Sequence, residues 1–424
     1  MPRYYLEDIT FTDQDDIVPL SGKALIRNQG RSITNTLAGN DIITAYNERS
    51  DDDDFTGANQ YITAFENTST LNTAEGNDSI TGIVSQNPDY YPWDLYGIRN
   101  EFWYSPDQGR IDTGEGNDII TGIIQAGING DGIYNNKGTI NTGDGDDKII
   151  GLSEGGEGIV MTGGTISTGD GQDTVTGIGT GYGMYLYSFT YSVSVLDTGK
   201  DNDIITGSSI YNSSGIINTS SGEDSIICQG VFFNYGGVFL GDGNDSIVTA
   251  IDFPTQGLFN YNAIETGDGN DIITSNGIIY NEGVINTGDG DDSILVDGGV
   301  DGNGTRYGIN NNGGAINMGE GNDSIIANEG FESAENSSGA WFLGEGDDYI
   351  KGYGSGDFYG GNGNDTLELT SGTYTVEIWG EGGESPIFTK GNQLMITSEF
   401  EKLKAGSTIY DFTSLTAGQI IIVA

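Results

Sequence analysis

Aliphatic residues return along this chain at a fixed phase to a Gly-rich acidic motif, and that phase predicts the fold. In TGDGNDIITSNGIIYNEGVINTGDGDD, Thr266–Asp292, Gly-Asp-Gly-Asn-Asp comes back as Gly-Asp-Gly-Asp-Asp after 21 residues. Take the last Asp of each motif as position 0. An aliphatic residue then stands at +2 in every copy: Ile43, Ile80, Ile120, Ile149, Val175, Ile205, Ile226, Ile247, Ile273, Ile294, Ile325, Ile350 and Leu367. A second file stands at −7: Leu71, Ile111, Ile140, Ile166, Leu196, Ile217, Val238, Ile264, Ile285, Ile316, Trp341 and Phe358. A third apolar stretch lies between them, as in GIYNN, GIIYN and GLFNYN. Position +1 is variable and often polar, so side chains alternate with a period of two, as on a β-strand.

The phase-marking residues are Asp41, Asp78, Asp118, Asp147, Asp173, Asp203, Asp224, Asp245, Asp271, Asp292, Asp323, Asp348 and Asp365, with a degenerate copy ending at Asp16. Their spacing is 21 in three intervals, 25–31 in most others, and 37 and 40 early in the chain. A constant minimum with variable extras describes one structural unit carrying loop insertions. Three short strands per period, joined by Gly, Asn and Asp turns, predict an all-β, right-handed parallel β-solenoid. It would have about 14 coils and extend on the order of 65–70 Å at the ordinary strand spacing. Helix is disfavoured by the glycine frequency and by the apolar period. The expected organisation is an N-terminal cap and degenerate coil over residues 1–40, a solenoid over 41–369 with insertions at 84–109 and 178–195, and an antiparallel C-terminal cap over 370–424.

Two polar files read as structural. Asn67, Asn136, Asn212, Asn234, Asn260, Asn281 and Asn312 recur 11 or 12 residues before the marker, and Asn both tolerates left-handed turns and hydrogen-bonds along a stack. Thr73, Thr113, Thr142, Thr168, Thr198, Thr219, Thr266 and Thr287 form a turn-edge file at −5.

Composition then turns the pattern into a chemical question. Among 424 residues, 63 are acidic and 15 basic, for a formal charge of −48 with no histidine. Such a charge with 35% hydrophobic residues ordinarily gives disorder. Patterning for a core despite that charge points to a missing counter-ion. Nucleic-acid and anionic-membrane partners are disfavoured by charge, no apolar run reaches the length of a membrane span, and MPRYYLEDITFTDQDDIV does not read as a signal peptide. Cys228 alone excludes an intrachain disulfide, and zinc is disfavoured by the scarcity of nitrogen and sulfur ligands.

Acidic side chains stacked about 4.8 Å apart repel by roughly 1 kcal/mol per pair in water and more in a lower dielectric. Thirteen in phase demand compensation. Hard oxygen donors, with glycines turning carbonyls inward, favour Ca²⁺ over Mg²⁺ or transition metals. Here the sequence resembles the RTX, or haemolysin-type, calcium-binding repeats, whose nonapeptide is Gly-Gly-x-Gly-x-Asp-x-(apolar)-x. The nearest stretch is GEGDDYIKGYGSGDFYGGNGNDTLEL, in which Asp348, Asp357 and Asp365 lie nine and eight residues apart. Elsewhere there is one acidic corner per coil, not the two per coil of tandem nonapeptides. The resemblance implies one column of Ca²⁺ ions along one edge. Its ligands would be the marker aspartates, Asp357, and the backbone around Gly116, Gly145, Gly171, Gly243, Gly269, Gly290, Gly321, Gly346 and Gly363. A further acid at −3 (Glu75, Glu115, Asp144, Asp170, Asp242, Asp268, Asp289, Glu320 and Glu345) is no family ligand; it either adds an outer shell or faces solvent. Lys200 occupies that place before Asp203, where its ammonium could stand in for an ion.

The family resemblance also implies a secreted protein of cell-surface fibrils or adhesive layers, such as the oscillin-like sheath proteins of cyanobacteria. An uncleaved C-terminal signal for type I export would lie in the cap. Cell-surface polysaccharide and self-association are the expected partners besides calcium, and no enzymatic role is expected. A carbohydrate-active β-helix, such as a polysaccharide lyase or epimerase, is the alternative; Arg99, Arg110 and Arg306 do not cluster in sequence to support it. A head-to-tail filament subunit is a further reading. An ice-binding solenoid is disfavoured because acids hold the positions that Thr arrays occupy there. Two aromatic insertions, with Tyr90, Tyr91, Trp93, Tyr96, Phe102, Trp103 and Tyr104 in one and GYGMYLYSFTYS in the other, read either as a platform for sugar rings or a partner, or as loops over the solenoid flank.

Overall fold

The computed structural model describes residues 2–19, 23–29, 33–48, 61–85, 94–101, 109–125, 129–189, 192–249, 257–300, 306–332, 339–379 and 385–424. Among these there is no α-helix, only two 3₁₀ turns, Leu6–Asp8 and Phe412–Ser414. The chain forms two compact units, Met1–Ile227 and Cys228–Ala424. Each is a parallel β-solenoid in which successive coils add one strand to each of three sheets.

In the first unit, an asparagine-bearing sheet runs Leu25–Asn28, Tyr61–Asn67, Asp94–Glu101, Asp131–Asn136, Ile159–Thr162, Met184–Tyr187, Ile210–Asn212. A second sheet, directly after each acidic corner, carries the +2 file: Ile43, Ile80, Ile120, Ile149, Val175 and Ile205 pair in register. A third sheet, ahead of the corner, carries the −7 file, with Leu71, Ile111, Ile140, Ile166, Leu196 and Ile217 paired likewise. The second unit repeats this plan through Ile247, Ile273, Ile294, Ile325 and Ile350 and through Val238, Ile264, Ile285, Ile316, Trp341 and Phe358. Every one of these side chains is at most 1% exposed. Burying one aliphatic side chain is worth roughly 1.5–3 kcal/mol, so the two files supply the core. Trp341 and Phe358 stack at 4.3 Å where aromatic rings replace the aliphatic file.

The asparagine file is a buried amide ladder. Asn28 Nδ2 donates to Asn67 Oδ1 at 2.7 Å, Asn67 to Asn100 at 2.7 Å and Asn100 to Asn135 at 2.9 Å. In the second unit Asn234, Asn260, Asn281 and Asn311 are linked the same way at 2.8–2.9 Å. The same amides also donate to third-sheet carbonyls, as Asn281 does to Ala315 at 3.1 Å. This corrects the expected register at two rungs. Asn136 and Asn312 point outward, the former to Glu101 and the latter to the Tyr280 hydroxyl, while the neighbouring Asn135 and Asn311 point inward.

Stretches expected as insertions carry regular rungs. Asp94–Glu101 lies within 84–109 and Met184–Tyr187 within 178–195, both in the asparagine sheet. Tyr90, Tyr91, Trp93, Phe102, Trp103 and Tyr104 lie outside the described residues, as do Thr190 and Tyr191. On the outer side of this sheet, arginines that do not cluster in sequence meet: Arg27 and Arg99 both pair with Glu66, at 2.8 and 3.1 Å, and Arg99 also pairs with Glu101.

The C-terminal cap is antiparallel only in part. Ser385–Lys390 pairs antiparallel with both Gly372–Trp379 and Gln393–Ser398, and Ile420–Val423 antiparallel with Gly372–Trp379. Gln393–Ser398, however, pairs parallel with Gly356–Gly363, and Lys402–Ala405 parallel with Thr366–Leu369. The cap thus begins as one more coil.

Neighbouring residues on one strand test the alternation. Ile273 is fully buried, whereas Ile272 is 44% exposed. Ile273→Ala should lower the free energy of unfolding by about 2–5 kcal/mol and Ile272→Ala by no more than ~0.5 kcal/mol, measured by denaturant titration; equal losses would contradict the placement of this file.

Candidate cation site at the acidic corner

Most corners turn on two glycines, at −4 and −2, that adopt backbone angles L side chains avoid; Leu37, Ala74, Ser220 and Asp201 take one of these places with φ between 64° and 74°. In one coil the two glycines are Gly267 and Gly269, with φ of 108° and 138°. A Cβ on Gly269 would lie 1.7 Å from the Gly243 carbonyl oxygen of the preceding coil. The glycines therefore permit two backbone layers to close at strand spacing. Gly116, Gly145, Gly171, Gly243, Gly290, Gly321, Gly346 and Gly363 take the same conformation.

This turn sends the residues at −3 and −1 outward and the marker Asp inward. The −3 acids Glu75, Glu115, Asp144, Asp170, Asp242, Asp268, Asp289, Glu320 and Glu345 are all exposed to solvent. The marker aspartates from Asp41 to Asp365 are between 0 and 2% exposed. One oxygen of each carboxylate has a defined role: Oδ1 accepts the backbone N–H of the marker in the preceding coil. In the first unit Asp16, Asp41, Asp78, Asp118, Asp147, Asp173 and Asp203 donate in turn to Asp41, Asp78, Asp118, Asp147, Asp173, Asp203 and Asp224 at 2.7–2.9 Å. In the second unit the file runs from Asp245 through Asp271, Asp292, Asp323 and Asp348 to Asp365 over the same distances. Its last N–H, that of Asp365, donates to Glu401 Oε2 of the cap at 2.7 Å.

The second oxygen is the chemical problem. The Oδ2 atoms of Asp41, Asp78, Asp118, Asp147, Asp173, Asp203, Asp271, Asp292, Asp323, Asp348 and Asp365 are buried and accept no hydrogen bond. The −5 threonine hydroxyl lies beside the carboxyl and lowers its pKa in most coils. Except at Thr198, whose hydroxyl makes no hydrogen bond, the threonine directs its single proton elsewhere, to the carbonyl of the next coil's −5 residue: Thr73 to Thr113 at 3.2 Å, Thr142 to Thr168 at 3.3 Å, Thr168 to Thr198 at 2.9 Å, Thr266 to Thr287 at 3.0 Å and Thr287 to Met318 at 2.8 Å. One proton cannot serve both acceptors.

Burial accordingly dominates the titration of these groups. Desolvation pushes Asp173, Asp292 and Asp348 up to about 6, Asp78, Asp147, Asp323 and Asp365 up to about 7, and Asp203 up to about 8. For Asp78, Asp147, Asp203 and Asp323 the neighbouring markers add like-charge repulsion.

The donor set is all oxygen, it is negatively charged, and it contains buried carboxylate oxygens that no proton donor serves, which suits a hard cation. Among the described residues, no three or more Asp, Glu, Cys or His side chains converge as a metal cage. A cation here would take one or two carboxylates and complete its shell with hydroxyls, backbone carbonyls or water. The fit is to the file, not to a single preformed cage.

Two residues expected at the file, Asp357 as a ligand and Lys200 as a substitute for an ion, lie away from it. Asp357 lies in register with Ala340, on the outward side of its strand, apart from the marker file. The Lys200 ammonium does not reach Asp203. It is exposed and paired with Asp170 at 2.8 Å, which raises the lysine pKa, while Asp203 keeps its place in the file.

A second ladder, at −1, was not anticipated. Its side-chain Oδ1 accepts the backbone N–H of the −1 residue in the following coil: Asn40 from Asn77 at 2.7 Å, Asn77 from Asn117 at 2.8 Å, Asn270 from Asp291 at 2.7 Å and Asp291 from Asn322 at 2.7 Å. The inner ladder runs the opposite way, so neighbouring coils are clamped in both directions. Its signal was visible: position −1 is Asn, Asp, Gln or Glu in every copy.

No family model and no curated protein matches the chain. Among solved structures it is similar to a hyperactive, Ca²⁺-dependent, β-helical antifreeze protein from an Antarctic bacterium. That similarity has 21% identity and a TM-score of 0.42, over 75% of this chain and 80% of that one. The assignment as a parallel β-solenoid rests on the strand pairing described above.

The raised carboxyl pKa values set the pH response of the cation-free protein. The folded state holds these protons more tightly than the unfolded chain, so stability is full below about pH 4 and is lost as pH rises through about 6–8. In buffer stripped of divalent ions, the thermal midpoint by circular dichroism should be higher at pH 5 than at pH 8. A midpoint that rises with pH would show the aspartates to be stabilised as anions without a cation.

Proposed function

We propose that this chain is a secreted, calcium-binding structural or cell-surface protein, whose solenoid is completed outside the cell as Ca²⁺ binds the marker aspartates of residues 41–369. The observation that carries the proposal is the file of buried carboxylate oxygens without proton donors. A pKa raised from 3.8 to about 6, as at Asp292, corresponds to about 3 kcal/mol for holding the charged form at neutral pH. Several such rungs together would exceed the 5–15 kcal/mol that typically holds a domain folded. Neutralisation is therefore a condition of folding near pH 7, and binding energy for the cation becomes folding energy. Affinities of about 10⁻⁴–10⁻³ M, typical of extracellular calcium modules, would suffice there and would leave the chain unliganded at cytosolic calcium.

In this reading the −3 acids are solvent-facing and supply long-range attraction for cations, while the coil-like cap over 370–424 closes the acidic file and carries the region where an export signal would lie. No helix among the described residues is long and apolar enough to cross a membrane. The expected partners are calcium and a cell-surface polysaccharide or further copies of the chain.

Circular dichroism at pH 7.5 should show a gain of β signal and a higher melting temperature as Ca²⁺ is raised to millimolar levels, with a smaller effect of Mg²⁺. An unchanged spectrum and melting temperature would refute the proposal. Asp292→Asn separates the two oxygens, because an amide keeps the Oδ1 acceptor and removes the charge at Oδ2. It should stabilise the calcium-free protein, by on the order of 1–3 kcal/mol, and diminish the gain conferred by calcium. Loss of stability in both states would assign Asp292 a purely structural role.

A further inference from the structure

One broad outer face of the first unit carries no acid. The second sheet there is built from Ile42–Asn47, Ser79–Val84, Ile119–Ile124, Lys148–Ser153, Thr174–Gly179 and Ile204–Gly207. Although 63 of the 424 residues are acidic, these strands contain none, and Lys148 is their only charge. Positions +1, +3 and +5 point outward and stand in register from coil to coil. The +1 row includes Ile42, Ile119 and Ile204, which are 41, 39 and 42% exposed. The +3 row is Thr44, Thr81, Thr121, Ile150, Thr176 and Thr206, all half-buried. The +5 row includes Ile83, Ile123, Leu152 and Ile178, half-buried likewise. The second unit departs from this plan. Its strands Ile272–Ser275 and Ser293–Val296 stop at +4, and Asn276, Asp297 and Asn328 hold +5 places.

The size and charge of this face select its occupant. Rows two residues apart on coils one strand spacing apart measure roughly 13 Å by 24 Å, or on the order of 500 Å² with side chains included. An apolar patch of that size usually marks an interaction site. Two such faces together bury on the order of 1,000 Å², the lower bound for a specific interface. A net charge of −48 repels a second copy from every acidic side, so the face without acids is where approach is least opposed. A second copy also repeats the same rows at the same strand spacing. Its ridges therefore match the grooves between rows along their whole length, as in paired sheets of identical side chains.

We propose that two copies of this chain pair face to face through this sheet, about a two-fold axis parallel to the solenoid axis of the first unit. That axis sets the +1 row of one copy against the +5 row of the other, coil against coil. The exposed isoleucines then lie on the half-buried aliphatic row, and Thr121 and Thr176 each meet their own counterparts. The acidic corners, which adjoin the +1 rows, stay on opposite edges of the pair. An antiparallel pairing would bring those corners together. Lys148 lies at the rim, where its ammonium keeps its water. The proposal gives the expected self-association a location, and it is read on protein already folded, so it stands or falls apart from calcium binding.

The test is sedimentation equilibrium of the full chain in millimolar Ca²⁺ over micromolar concentrations, each sample first checked for its β spectrum. The mean mass should rise from that of one chain, 44.8 kDa, toward that of two and no further. Added salt should strengthen pairing, because it screens repulsion between the acidic copies. Thr121→Glu with Thr176→Glu sets like charges opposite one another and should weaken pairing at least tenfold. Ile119→Thr with Ile204→Thr keeps β-branched residues but removes exposed apolar surface, and should weaken it several-fold. Thr373→Glu with Thr375→Glu adds the same charge on the exposed cap and should leave pairing unchanged. A single-chain mass at every concentration, growth beyond two chains, pairing weakened by salt, or pairing that Thr121→Glu with Thr176→Glu affects no more than the cap variant would overturn the proposal.

Discussion

Every coil in this molecule must place a carboxylate inside, next to an identical carboxylate one strand spacing away. Stacking is favourable for the isoleucine and asparagine files, because apolar surface is buried and amides pair head to tail. It is unfavourable for the aspartate file, where Oδ1 finds a backbone donor and, at the rungs from Asp41 to Asp203 and from Asp271 to Asp365, Oδ2 finds none. The glycines at −4 and −2 are consequences of the same packing, since a Cβ on their backbone conformation would collide with the carbonyls of the neighbouring coil. The inward aspartate, the closed corner and the flat parallel stack form one construction, and its sign of charge makes it conditional on protons or cations.

Much of this was legible because the coil imposes one spacing on everything. The +2 and −7 files were readable from spacing alone, since a solenoid converts sequence period directly into spatial neighbours. Asn135 and Asn311 were misplaced by one residue for the same reason in reverse. The turn that follows them is one residue longer, so Asn135 and Asn311 stand 12 residues before their aspartates where Asn234, Asn260 and Asn281 stand 11, and a fixed count back from the aspartate loses phase. In a strand, an error of one residue exchanges inside for outside.

Other features were hidden by their ordinariness. An Asn or Asp at −1 is what any tight turn would carry, so its role as a ladder acceptor stood out only when the N–H above each side chain was located. Arg27, Glu66 and Arg99 are scattered in sequence, and the insertions between them conceal that they lie on consecutive coils. Glu401 has no glycine corner to announce it, although Leu403 two residues later pairs with Leu367 as a +2 residue would.

Glu401 also carries a consequence for how such a molecule changes over evolutionary time. The inner ladder has a direction: each coil supplies a donor and borrows its acceptor from the coil that follows. Such a chain of debts needs only one creditor outside the repeat, and the cap provides it at Asp365. Whole coils can then be duplicated or lost upstream without redesigning either the repeat or its terminus. Length becomes a property that recombination can adjust, while the chemistry at each rung stays the same.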